Sequence, residues 1–152
     1  MNYIEYLDLP SVPENLIESI TDIINKPPKV YSAVPSEYDF FKTRNVNDDL
    51  AEWLQSIFEY KIYSQYQLVY NGLPIHIDKG NRINAYNYLL DTGGKNVKTA
   101  VYNENYRLLQ IEQLELKRWH RINTGMLHGV HGIEPDKVRV AISIEQSFVR
   151  KL

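Results

Sequence analysis

From residue 62 to residue 145 the chain is cut into short runs rich in Tyr, Val and Ile by closely spaced turn signals: Asn71-Gly72, Lys79-Gly80-Asn81, Thr92-Gly93-Gly94 and Gly132. Asn-Gly and Gly-Gly pairs supply the positive φ that tight turns need, while β-branched and aromatic residues suit a half-buried pleated surface. This punctuation restricts the fold more than any other property of the sequence. It predicts strands at 62–70, 75–78, 83–90, 97–102, 107–122, 126–130 and 138–145. In 107–122, Leu108, Leu109, Ile111, Leu114 and Leu116 also fit a helix, but two strands with a turn near Gln113 fit the surrounding pattern better. Many short strands at this spacing point to a β-sandwich or jelly roll.

Upstream of residue 62 the pattern is helical. Ser11-Val12-Pro13-Glu14 has the form of a capping box with proline in the first turn. Leu16, Ile17, Ile20, Ile23 and Ile24 follow at helical spacing, and Lys26-Pro27-Pro28 ends the run. Residues 29–46 read as irregular. Asn47-Asp48-Asp49 opens a second helix with acids where the dipole favours them, and Leu50, Trp53, Leu54, Ile57 and Phe58 form its apolar face. Helices gathered ahead of the strands predict a mainly β fold with the helices packed on one sheet. The whole of 1–152 is expected to be a single domain, since no repeat or linker divides it.

Composition removes several classes of function. A net charge of −2 with no basic block disfavours nucleic-acid binding through phosphates. The absence of cysteine excludes disulfides, thiolate zinc sites and cysteine nucleophiles. No apolar stretch reaches the length of a membrane span, and Met1-Asn2-Tyr3-Ile4-Glu5 lacks a signal pattern, so a cytoplasmic location with no membrane association is expected.

One set of strand side chains carries chemistry. Residues i and i+2 of a strand share a face, so His76 and Asp78 project together while Ile77 points to the opposite layer. His128, in Leu127-His128-Gly129-Val130, shares a face with Val130. Two neutral imidazoles and one carboxylate on one side of a metal leave its other side open, as a non-haem Fe(II) oxygenase requires. Each histidine is alternatively a half-buried hydrogen-bonding residue. His131 competes with His128 as the distal ligand, although it faces the other way if the strand continues; His120, after Trp119, carries no motif and reads as structural. In the last strand Arg139, Ala141 and Ser143 share one face, and Val138, Val140, Ile142 and Ile144 the other. An inward-facing arginine needs a partner, because an unpaired buried charge is costly, and its fork suits a carboxylate. That partner is either a ligand or an Asp or Glu of the chain.

The ordered set Tyr70-Asn71-Gly72, His76-Ile77-Asp78, Arg82 to Gly94 with its Tyr88-Leu89-Leu90-Asp91, Leu127-His128-Gly129-Val130 and Arg139-Val140-Ala141-Ile142-Ser143 resembles the 2-oxoglutarate/Fe(II)-dependent dioxygenases, most of all their small prolyl-hydroxylase-like bacterial and phage members. The resemblance covers about residues 62–145 and implies a double-stranded β-helix, or jelly roll. It implies Fe(II) held by His76, Asp78 and His128, and 2-oxoglutarate anchored through its far carboxylate by Arg139. Tyr70 is implied on the same carboxylate and Asn84 in a polar contact with the cosubstrate. The activity implied is hydroxylation of a C–H bond with O2, releasing succinate and CO2. Many members have Ser or Thr two residues after the arginine, where this chain has Ala141; Ser143 lies one step further along the same face. Arg82 is read as a cosubstrate, substrate or surface residue, and Tyr86 and Tyr88 as pocket or core residues.

Two other classes remain open: a jelly-roll metal-binding or structural module without turnover, and a cupin-like metal enzyme, which would ordinarily use three or four histidines and would not need Arg139. The primary substrate is expected to meet a rim built from 29–46 and 91–106, a small rim that would suit a side chain on a protein or peptide.

Overall fold

The computed structural model describes residues 2–28, 40–78 and 84–146. Its centre is a pair of antiparallel sheets. Four strands, β3 (Ile62–Tyr70), β5 (Asn84–Asp91), β8 (Trp119–Asn123) and β10 (Val138–Gln146), belong to the larger sheet. Four more, β4 (Leu73–His76), β6 (Lys98–Tyr102), β7 (Leu108–Glu112) and β9 (Leu127–His131), form the smaller one. The short strands β1 (Ile4–Tyr6) and β2 (Phe41–Arg44) flank the larger sheet, giving the orders β1-β8-β5-β10-β3-β2 and β4-β9-β6-β7. From β3 to β6 and again from β7 to β10 the chain alternates between sheets, which is the winding of a double-stranded β-helix. No helix among the described residues is long and apolar enough to cross a membrane.

The strand register divides the larger sheet into two faces. Tyr66 and Leu68 of β3, Tyr88 of β5, Trp119 of β8, and Val140, Ile142 and Ile144 of β10 point outward and are buried beneath the N-terminal segments. Val12, Ile23, Leu50 and Leu54 cover them. Burying an aliphatic side chain such as Leu54 contributes roughly 1.5–3 kcal/mol, so this outer layer is a principal core of the fold. The inner face looks across at the smaller sheet.

The second helix, α2 (Asp48–Ser56), forms where the sequence predicts it, with the Asn47 side chain accepting from Leu50 N at 2.8 Å. The first predicted helix is divided. Glu14–Leu16 is a single 3-10 turn, Ile17 is extended, and α1 (Ile20–Asn25) starts afresh with Ser19 accepting from Asp22 N at 3.1 Å. The interruption has a tertiary cause: the Asn47 amide donates to Leu16 O at 3.0 Å, removing that carbonyl from a continuous helix. The 107–122 stretch is two strands, β7 and β8, separated by residues 113–118. β1 and β2 were not anticipated.

β1 closes one seam between the sheets. Its pairing with β8 sets Ile4 opposite Ile122. The Gln110 amide of β7 accepts from Tyr3 N and Ile4 N at 2.8 and 3.0 Å and donates to Ile4 O at 2.8 Å. A side chain of the smaller sheet thus satisfies the exposed backbone edge of the larger one.

Asn47 caps one helix while tying down the carbonyl that ends another turn. Asn47→Ala should therefore cost about 2 kcal/mol, the upper part of the capping range, read as a lowered urea midpoint with unchanged slope; a loss below about 0.5 kcal/mol would show that the Leu16 contact contributes nothing.

Candidate metal centre

The antiparallel pairing of β4 with β9 sets His76 directly opposite His128. Their rings lie 4.3 Å apart between centroids. Asp78 follows the end of β4 and is held by its backbone N–H, which donates to Thr124 O at 3.2 Å. Its Oδ1 comes within 3.2 Å of His76 Nε2 and 3.3 Å of His128 Nε2. One ligand atom from each of the three residues lies within 4.8 Å of the others. Ile77 does not enter an opposite layer; it is 50% exposed at the cavity mouth, because the strand ends before it.

Both imidazoles are fixed in the same tautomer by the same local device. His76 Nδ1 lies 2.7 Å from Pro74 O, and His128 Nδ1 lies 2.8 Å from Met126 O. A carbonyl oxygen can only accept, so each Nδ1 carries a proton, and in the neutral ring each Nε2 presents a lone pair towards Asp78. Two such lone pairs and a carboxylate oxygen converge as the donor set of a divalent cation would. Ligands bonded at about 2.1 Å to one ion stand roughly 3.0–3.4 Å apart when adjacent, so the observed 3.2 and 3.3 Å fit a shared divalent ion.

The triad opens on a cavity of about 580 Å³ enclosed between the two sheets. Arg139 also lines this cavity and is 5% exposed. Its Nη2 donates to Thr99 Oγ1 at 2.9 Å and its Nη1 to Thr92 O at 3.4 Å. Among the described residues no carboxylate pairs with it. Burial without a counter-charge pulls the guanidinium down to about 10. The Gly93-Gly94 turn holds the Thr92 carbonyl there: a Cβ on Gly93, at φ +84°, would stand 3.1 Å from Arg139 N. This turn was expected at a substrate rim, but it supports Arg139 instead, and most of 97–102 is strand β6.

Other expected site residues lie elsewhere. Gln67 and Val69 of β3, and Asn87 and Leu89 of β5, face the cavity. By alternation Tyr70, Tyr86 and Tyr88 face the helical side: all three belong to the outer-face cluster, and Lys42 Nζ stands 5.5 Å from the Tyr70 ring. Asn84 is also outside the cavity, its Oδ1 accepting from Arg121 Nη1 at 2.7 Å. His131 turns away from the triad, with Nε2 bonded to the Tyr102 hydroxyl at 2.9 Å. Arg82 lies outside the described residues, as does 29–39 of the expected rim; Phe40 and Phe41 line the cavity.

Sequence reading passed over the polar lining at Asn87 and Thr99 and took His120 for a structural residue; all three line the cavity. His120 is 1% exposed and lines the cavity wall. Burial, and after it the charge of Arg139, push its imidazole down to about 3, against a weaker pull from the Arg118 carbonyl. It is therefore neutral in the fold.

No model of a protein family matches the chain, and no curated protein matches it in sequence. Solved structures do. The chain is similar to oxalate decarboxylase of Bacillus subtilis, a protein with Mn(II) centres, at 12% identity over 82% of this chain and 29% of that one, with a TM-score of 0.49. A second oxalate decarboxylase structure gives 14% identity, 86% and 35% coverage, and a TM-score of 0.49. The chain thus spans about a third of the length of these proteins, and likeness at this level says nothing about activity.

Two outcomes follow from this geometry. Divalent metal at a hundredfold excess over its dissociation constant should stabilise the fold by about 2.7 kcal/mol, seen as a raised melting temperature that His128→Ala abolishes; an unshifted melting temperature with Mn(II), Fe(II) and Zn(II) alike would contradict a metal site. For His120, a folded value below the ordinary 6.5 of a histidine means that the unfolded chain takes up the proton first as pH falls. Its stabilising contribution is complete above pH 6.5 and is lost between pH 6.5 and about 3. Between pH 7 and pH 5 the loss should be about 2 kcal/mol, and His120→Gln should remove that part of the slope in chemical denaturation; parallel pH profiles would show that His120 is not buried and neutral.

Proposed function

We propose that this chain is a 2-oxoglutarate- and Fe(II)-dependent oxygenase that hydroxylates a C–H bond and releases succinate and CO2. The observation that carries the reading is Arg139: a cation buried with no carboxylate partner among the described residues, in the same cavity as His76, Asp78 and His128. An anionic cosubstrate with a second, distant carboxylate supplies what each end lacks.

His76, Asp78 and His128 would hold the iron, which when bound supplies O2 activation coupled to decarboxylation of the 2-oxo acid. The chain's own contribution is position and exclusion of water. Arg139 binds the far carboxylate, with its guanidinium plane set by the Thr99 hydroxyl and the Thr92 carbonyl. Val69, Leu89, Ile122, Val130 and Ala141 form apolar walls that keep water from the reacting centre. His76, at 37% side-chain exposure, and Ile77 stand at the mouth, where a side chain presented by a protein or peptide could approach.

A second reading is a cupin-like metal enzyme that uses no 2-oxoglutarate. Two imidazoles and a carboxylate serve several divalent ions, and such a site has no need of Arg139 as a cosubstrate anchor.

Anaerobic titration with Fe(II) and 2-oxoglutarate separates the two. A weak visible charge-transfer band is expected, absent in His76→Ala, with 2-oxoglutarate bound at least about 30-fold more weakly in Arg139→Ala because a buried charge loses its partner. A folded protein that binds metal but never develops the band refutes the oxygenase and leaves the cupin-like enzyme. A band with no uncoupled succinate on admitting O2 identifies a binding module without turnover.

A further inference from the structure

Two crossings between the sheets meet at the Arg139 end of the cavity. Residues 92–97 carry the chain from β5 of the larger sheet to β6 of the smaller, and residues 132–137 carry it back from β9 to β10. Val97 and Ile133, one from each crossing, are buried together with Val69 and Val130. Glu134 joins the crossings again. Its backbone N–H donates to Gly93 O at 2.9 Å, and its Oε2 accepts from Lys95 N at 2.6 Å. One residue thus grips the turn on both sides of Gly94. Gly94 leaves room for the carboxylate: a Cβ there, at φ +151°, would stand 2.5 Å from Glu134 Oε2. The Lys95 N–H holds the Glu134 carboxyl below the usual carboxylate range, so the bond is made by an ionised acceptor.

The gripped turn is the one that touches Arg139. Asp91 Oδ1 accepts from Gly93 N at 2.9 Å and Thr92 Oγ1 donates to Gly94 O at 2.8 Å, bonds that shape the turn from within. Glu134 instead fastens the turn to the segment that leads into β10. Thr92 O accepts from Arg139 Nη1 at 3.4 Å, close to the limit of a hydrogen bond. A small outward shift of the turn would therefore break this bond. The guanidinium would keep its bond to Thr99 Oγ1, about which it can turn. A fork held at two points presents a fixed plane to a carboxylate, and one held at a single point does not.

We infer that Glu134 is a positioning residue: by clamping the 92–95 turn to the 132–137 crossing, its carboxylate keeps the Thr92 carbonyl against the Arg139 guanidinium and so aims that cation into the cavity. The inference rests on the oxygenase reading only for what Arg139 binds. Glu134 itself touches no ligand. It acts through the turn, and its loss should be felt by a ligand that reaches Arg139 and not by one that stops at the metal.

The first test needs no ligand. The guanidinium N–H signals of Arg139 are recorded by nuclear magnetic resonance in the full-length, metal-free protein and assigned by their loss in Arg139→Lys. Separate, slowly exchanging signals are expected in the wild type and in Glu134→Gln, whose amide oxygen still accepts from Lys95 N. They should collapse to one averaged signal in Glu134→Ala and in Gly94→Ala, where the added methyl displaces the carboxylate. Glu134 is 39% exposed in its side chain and keeps its backbone bond to Gly93 in either variant, so both should fold. Averaged signals already in the wild type, or unchanged signals in Glu134→Ala, overturn the clamp. A lower melting temperature without any change in these signals is the mark of a merely structural role and overturns it too. The second test follows ligand binding to the Mn(II)-loaded protein by water-proton relaxation. Glu134→Ala should weaken 2-oxoglutarate about fivefold, the worth of one hydrogen bond, and leave pyruvate, which has no second carboxylate, unchanged. If the wild type binds 2-oxoglutarate no better than pyruvate, the oxygenase reading fails, and the Arg139 signals still decide the clamp.

Discussion

β10 is hydrogen-bonded along its length to β3 on one side and to β5 on the other, and its two faces serve different ends. Val140, Ile142 and Ile144 anchor the layer beneath the helices, while Arg139 and Ala141 line the cavity. Because the side-chain period of a strand is two, a slip by one residue would drive an arginine into the apolar layer and expose the valines to the cavity. The hydrophobic layer thus fixes the register, and the register aims the cation. Assembly of the core and assembly of the site are one event.

The same economy governs the metal ligands. His76 and His128 face one another across a single rung of β4 and β9, and each has its tautomer set by the carbonyl two residues before it. No separate carboxylate or buried water is needed to orient the rings, a task that metal sites usually give to side chains outside the ligand set. A backbone that is already extended supplies the carbonyl at the correct place.

Strand alternation is why much of this was legible in the sequence. The separation of Arg139 from Val140 follows from i and i+2 sharing a face, whereas His76 and Asp78 meet although β4 ends at His76, because Thr124 O holds the Asp78 backbone; His76, Asp78 and Arg139 line one cavity. Tyr70, Asn84, Tyr86 and Tyr88 were harder because aromatic and amide residues suit either face, and only the register of β3 and β5 assigns them to the outside. β1 offers three residues, too few for a periodic signal, and β2 lies in a segment without one. The divided first helix depends on Asn47, distant in sequence, taking the Leu16 carbonyl.

The amide clasp of Gln110 on Tyr3 and Ile4 has a consequence for how the chain comes together in time. The N-terminal segment has its partners more than a hundred residues away: Gln110 at its edge, Ile122 opposite Ile4, and Pro10 O receiving Trp119 Nε1 at 2.9 Å. Closing so long a loop carries an entropic cost that local contacts cannot offset first. During synthesis residues 3–10 emerge well before residues 110–123, with which they pair. Residues 3–10 are thus stitched in only after residues 110–123 have been made, and until then the seam between the sheets stays unsealed.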